Sequence, residues 1–140
     1  MSAEMILLPL FVEVILTFAL LIWLGPLRAR DFRTGLVREE DIALRQPNWS
    51  KPTLQVQYSF SNQFELPVLF YVLTILAYVT HHAGTLFVVL AWVFVIFRLL
   101  QAYVHVTNNK VRLRGIFFIV SALALVIMWI VFIVEILTGT

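Results

Sequence analysis

The sequence predicts an all-α integral membrane protein, a four-helix bundle with both termini on the non-cytoplasmic side. Three observations carry this expectation. The chain of 140 residues is 61% hydrophobic and only 13% charged, whereas a soluble domain is nearer one half apolar and one quarter charged. The charges are also clustered. Residues 26–57 hold six of the ten Lys/Arg (Arg28, Arg30, Arg33, Arg38, Arg45, Lys51) and four of the eight Asp/Glu (Asp31, Glu39, Glu40, Asp41). Outside that block lie four stretches of about 20 mostly apolar residues, each long enough to cross a bilayer. The length leaves room for a single domain, 1–140.

The first span covers roughly 5–24. It has no basic segment before it and no small-x-small site after it, where Trp23-Leu24-Gly25-Pro26 stands instead, so it reads as a retained helix and not a cleaved signal. The second span covers roughly 58–80 and the third roughly 85–106. The link between them, His81-His82-Ala83-Gly84, is short enough to make them antiparallel neighbours. The fourth covers roughly 116–137. Loop one carries six Lys/Arg and loop three carries Lys110, Arg112 and Arg114, while loop two carries none. The positive-inside rule therefore puts loops one and three in the cytoplasm. Asn48-Trp49-Ser50 matches a glycosylation acceptor, but it falls on the cytoplasmic side and reads as chance. There is no cysteine, hence no disulfide or thiolate. The small positive net charge of +2 comes from loops beside hydrocarbon and does not indicate nucleic acid.

Four charged residues fall within spans: Glu13, Glu65, Arg98 and Glu135. Glu135 is close enough to the far interface to reach water. The other three lie deeper, where a charge costs about 2.5–3.5 kcal/mol on insertion scales and needs a partner or a wet cavity. At a helical rise of about 1.5 Å per residue, Glu65 and Arg98 each lie on the order of 10 Å from the basic end of their helices. They are expected to meet at one level, with Glu13 slightly deeper. Asn62 and Glu65 share a helix face, as do Arg98, Gln101 and His105. Tyr58, Tyr103, Arg112 and Arg114 stand near the mouth of the polar groove so described. These groups either join helices by hydrogen bonds or also line a ligand site, and their density favours the second. Pro67 either kinks the second helix or opens a new first turn. His105 faces the groove as an interfacial residue or a general acid–base. His81 and His82 read as exposed turn residues with no carboxylate near, so no metal site is expected.

Asn62-x-x-Glu65 followed by Pro67 and an aromatic-rich run, at the start of helix two, resembles the MAPEG superfamily, membrane-associated proteins in eicosanoid and glutathione metabolism. Phe97-Arg98-Leu-Leu-Gln101-Ala-Tyr103-Val-His105, followed by Arg112 and Arg114, resembles that family's third-helix Arg/Tyr segment and the basic turn after it. The resemblance covers nearly the whole chain. It implies a homotrimer that binds glutathione between subunits near the cytoplasmic side. Asn62 and Glu65 would hold the peptide's polar groups and Arg98 would support Glu65 or the ligand. Tyr58, Gln101 and Arg114 would complete the binding set. Arg112, or else Arg114, would sit by the thiol as a catalytic group, with His105 a second catalytic candidate. Arginines bind carboxylates bidentately, and a nearby cation favours the thiolate.

The chain also departs from the glutathione-using members. Tyr58 stands where they usually have arginine, the proline follows the glutamate by two residues where they usually have three, and Gln101 and His105 replace helix-three tyrosines. These departures resemble the less characterised bacterial branch, and a bacterial inner membrane is the expected location. Three functions remain open: a glutathione-dependent transferase or peroxidase acting on lipophilic electrophiles, a non-enzymatic scaffold or lipid-binding protein, and a small channel or proton-coupled transporter. The last lacks the repeat symmetry common in transporters.

Overall fold

The computed structural model describes residues 2–139, and every regular element among them is a helix: α1 (Ala3–Arg33), α2 (Glu39–Ile42), α3 (Lys51–Asn62), α4 (Leu66–Val79), α5 (Thr85–Val106) and α6 (Val111–Thr138). Four helical segments are long and apolar enough to cross a membrane: α1, α3 with α4, α5, and α6.

The Ser2 side chain caps α1, accepting from Met5 N at 3.3 Å, with Glu4 in the first turn where the helix dipole favours an acid. The sequence suggests an end near residue 24, but the helix runs on through Gly25 and Pro26 for 31 residues. A proline removes only one hydrogen bond, here to the Ile22 carbonyl, and the turn beyond it packs well. Leu27 joins an apolar cluster and Asp31 is buried. Gly35 ends the helix at φ 78°, where the Leu36 and Val37 amides both turn back to the Asp31 carbonyl.

The second span is two helices, not one. Pro67 has no N–H for the Gln63 carbonyl, and its ring collides with that carbonyl in a continuous helix. The chain leaves α3 at Asn62 and restarts with Pro67 in the first turn of α4. Of the two roles open to Pro67, the structure takes the restart. The α5–α6 turn is tight, with Asn109 at φ 53°, and α6 begins at Val111. Arg112 and Arg114 therefore ride on the first turns of a helix instead of a loop. In the 80–84 turn the left-handed conformation falls on His81 (φ 61°), a residue type enriched there, and not on Gly84.

The bundle is arranged around α5, which packs against α1, α3 and α6, while α4 packs against α1 and α6. At the basic end, the Gln55 side chain donates to the Thr107 carbonyl at 3.3 Å, tying α3 to the α5–α6 turn. At the other end, Ile6 meets Ala77 and Ala83, and His82 shares a cleft with Glu135. Two apolar clusters result. One, far from the basic loop, gathers Ile6, Phe70, Leu73, Phe87, Ala91, Phe94 and Leu125, with Phe70 stacked on Phe94 at 4.7 Å. The other joins Leu20, Leu24 and Val56 near the basic loop. Since lipid is as apolar as these side chains, close van der Waals packing holds the helices together, not water exclusion. The outer surface is aliphatic, with Ile15 67% and Ile22 72% exposed.

Ala91 is fully buried and Val89, on the same helix, is 53% exposed. Ala91→Leu is expected to destabilise the detergent-solubilised protein by about 1–3 kcal/mol through overpacking. Val89→Leu is expected to leave the melting temperature nearly unchanged. Equal melting temperatures for the two variants would contradict the packing described.

Candidate functional site: a polar layer at the break in the second span

A polar layer separates the two apolar clusters. On α1 it is Glu13, between Ile6 and Leu20. On the second span it is Gln63, between Val56 and Phe70. On α5 it is Arg98 and Gln101, with His105 toward the basic end. Ser121 belongs to α6. Glu13 is 0% and Arg98 2% exposed, so both charges lie wholly inside the subunit.

Arg98 serves the helix break. Its Nη2 donates to the Asn62 carbonyl at 3.0 Å, the last residue of α3. That end carries unpaired carbonyls and the negative pole of the helix dipole. Within a bilayer, non-helical backbone is tolerated only where such groups find partners in protein or water. Glu13 is the strongest electrostatic neighbour of Arg98, ahead of Glu65. The two are not in ion-pair contact, since the only such contact within 4.0 Å among the described residues is Arg38–Glu40 at 3.8 Å on the surface.

Glu65 does not do what the sequence suggests. It is an electrostatic neighbour of Arg98, but the residue is exposed on the subunit and forms no ion pair with the guanidinium within 4.0 Å. The reason is local. Glu65 occupies the N-cap position of α4 with an irregular backbone (φ −104°, ψ −108°), which breaks the helical phase that relates it to Asn62 in a continuous helix.

The remaining expected residues divide between inside and outside. Gln101 and His105 are 5% exposed, on the interior face of α5 with Arg98. Asn62 is half-buried, and its carbonyl faces Arg98. Tyr58 is 45% exposed on α3. Tyr103 is 67% exposed on the outer face of α5. Arg112 is exposed, while Arg114 donates to the Asn109 side chain at 2.6 Å. Gln63, Thr17 and Tyr71 are members of the layer that sequence reasoning passed over. The amide of Gln63 donates to the Ser59 carbonyl at 3.1 Å and its Oε1 has no partner. Tyr71 lies in the field of both Glu13 and Arg98, beside Thr17. Gln63 stands inside the quoted Asn-x-x-Glu motif, so its polarity was visible; its inward direction was not.

Several buried polar atoms of the layer have no hydrogen-bond partner within the protein: both Glu13 oxygens, Arg98 Nε, Gln63 Oε1, Gln101 Oε1 and His105 Nδ1. The interior is thus polar well beyond what joining two helices requires. At the opposite end, His82 is partly buried and edge-on to Phe132, with Glu135 lining the same cleft, so a carboxylate does lie near the histidine turn. No group of three or more His, Asp or Glu gathers in metal-binding geometry among the described residues.

Removing one member of a buried charge pair costs about 3–5 kcal/mol. Arg98→Leu should therefore lower the melting temperature strongly, since it strands Glu13 and the Asn62 carbonyl. The double variant Glu13→Leu with Arg98→Leu should recover part of that loss. Glu65→Gln should be nearly neutral to folding. Additive losses for the first two changes would refute the coupling.

Comparison with known proteins agrees with this architecture. Residues 6–134 match the MAPEG family, nearly the whole chain. Neither the curated proteins nor the solved structures gave a match. The four membrane-spanning helices and a family match of that extent lead to one conclusion: the chain is an integral membrane protein that belongs to the MAPEG family.

Proposed function

We propose that this chain is one subunit of a homotrimeric, glutathione-dependent transferase or peroxidase that acts on lipophilic electrophiles drawn from the bilayer. The observation that carries the reading is Glu65. A carboxylate at membrane depth, exposed on its own subunit and in the field of Arg98 but without an ion-pair contact, has room for a second cation from elsewhere. The α-amino group of glutathione is such a cation, held between this face and a neighbouring subunit. Family membership supports the choice of ligand.

The residues present fit a small anionic peptide. Glu65 and the half-buried Asn62 provide a carboxylate and an amide on the break. Arg112, exposed on the first turn of α6, has no ion-pair partner in the subunit and is free to take a glutathione carboxylate or stabilise the thiolate. Tyr58 offers a hydroxyl from α3. The thiolate then attacks the electrophile, forming a carbon–sulfur bond as the leaving group departs, or attacks a peroxide oxygen, releasing an alkoxide that takes up a proton and leaving a sulfenic acid that a second glutathione converts to the disulfide and water. Arg98, committed to the Asn62 carbonyl, acts as a positioning residue that keeps the break in shape. His105 and Gln101 lie inside the subunit and support that framework from within. The six Lys/Arg of residues 26–57 together with Lys110, Arg112 and Arg114, against none in the 80–84 link, support a cytoplasmic site, where glutathione is available.

Calorimetric titration of the purified protein with glutathione tests this. Binding in the millimolar range or tighter is expected, with conjugation of 1-chloro-2,4-dinitrobenzene. Loss of one charged hydrogen-bond partner costs about 1.5–3 kcal/mol. Glu65→Gln should then bind glutathione roughly tenfold or more weakly while melting at the same temperature. Arg112→Ala should lower the conjugation rate more than the affinity. No heat and no thermal shift at millimolar glutathione would end the proposal.

A further inference from the structure

We infer that the cleft between α1, α2 and α3 at the basic end of the bundle is a binding site for an anionic amphiphile, a lipid with an anionic headgroup. The cleft encloses about 350 Å³ and is lined by Arg28, Arg45, Trp49 and Gln57 on its polar side and by Leu21 and Phe60 on its apolar side.

Its two arginines lack counter-ions. Arg28 donates Nη2 to the Gln57 side chain and lays its guanidinium over the Trp49 ring at 5.0 Å, which fixes its direction, yet its buried Nε has no partner. Trp49 is itself held edge-on by Phe32 and is 8% exposed. Arg45 is exposed on a left-handed backbone (φ 66°) directly after α2 and makes no ion pair or side-chain hydrogen bond. Three of the nearby acids are committed elsewhere, and the fourth, Glu39, is exposed on α2 and makes no ion pair with either arginine. Asp31 accepts from the Ser50 amide at 3.0 Å, Asp41 accepts from the Arg38 amide at 2.9 Å, and Glu40 faces Arg38. Two guanidiniums with no carboxylate between them make a site for an anion, and guanidinium suits phosphate geometry.

The apolar side indicates which anion. Leu21 lies on the membrane-spanning part of α1, about two turns before Arg28, and is 44% exposed. A ligand filling the cleft therefore meets cations at the interface and hydrocarbon on the bilayer side. A free phosphate uses only the first half of that surface, whereas an anionic phospholipid uses both. Gln57 and Phe60 lie on the side of α3 that faces α1, so this site is distinct from the Glu65 face proposed for glutathione.

The test titrates the full-length, detergent-purified protein with dioleoylphosphatidylglycerol, dioleoylphosphatidylcholine and inorganic phosphate. Native mass spectrometry counts bound lipid, and the melting temperature is read in parallel. Phosphatidylglycerol should bind about fivefold or more tightly than phosphatidylcholine and raise the melting temperature; inorganic phosphate should do neither. Arg45→Gln should weaken phosphatidylglycerol by about fivefold, the contribution of one interfacial basic residue, and leave phosphatidylcholine unchanged. Because Arg45 has no partner in the fold, that variant does not depend on whether Arg28→Gln folds. Equal binding of the two lipids, unchanged affinity in Arg45→Gln, or stabilisation by phosphate alone would each overturn the inference.

Discussion

The hydrogen bond from Arg98 to the Asn62 carbonyl makes a broken helix possible in the middle of a membrane-embedded bundle. Pro67 forbids a continuous helix, and a free carbonyl in a dry environment costs several kcal/mol. A guanidinium on the neighbouring helix removes that penalty, but it brings a buried charge of its own. Glu13, buried on a third helix, stands in its field without touching it. Three helices are thereby fixed relative to one another by a single chain of requirements, each created by the one before.

That chain sorts the polar residues into two classes. The inner class, Glu13, Gln63, Arg98, Gln101 and His105, is enclosed within one subunit and divides its core into two apolar clusters. The outer class, Glu65, Tyr58 and Arg112, faces away from the subunit. Inner groups maintain the break; outer groups are free for ligand or neighbour. Breaking the helix between Asn62 and Leu66 is what turns Glu65 out of the phase of α3. The same irregularity that needs Arg98 therefore also delivers a free carboxylate to the surface.

The two ends of the bundle differ in kind. The non-basic end closes with short, apolar contacts around Ala83, His82 and Phe132. The basic end is built from α1 extended beyond the span, the single turn of α2 and the polar first turns of α3, tied together by Asp31, Ser50 and Gln57. Ordinary soluble-protein interactions organise that end, and it offers arginines to whatever lies at the interface.

The four spans, their order and their rough limits were legible in the sequence because hydrocarbon demands long apolar runs, and no packing detail is needed to recognise one. The extra length of α1 was not, because Gly25-Pro26 reads as a stop, while Leu27 and Asp31 find partners only once α3 is in place. That Arg98 and Glu65 come within electrostatic reach of each other followed from counting residues along a regular rise. Their mutual direction did not, because one irregular residue rotates everything after it and the sequence carries no measure of that rotation. The burial of Glu13 near Arg98 is likewise a product of tertiary structure: the two residues are 85 positions apart, and which carboxylate is enclosed with the guanidinium depends on which face each helix turns toward its neighbour.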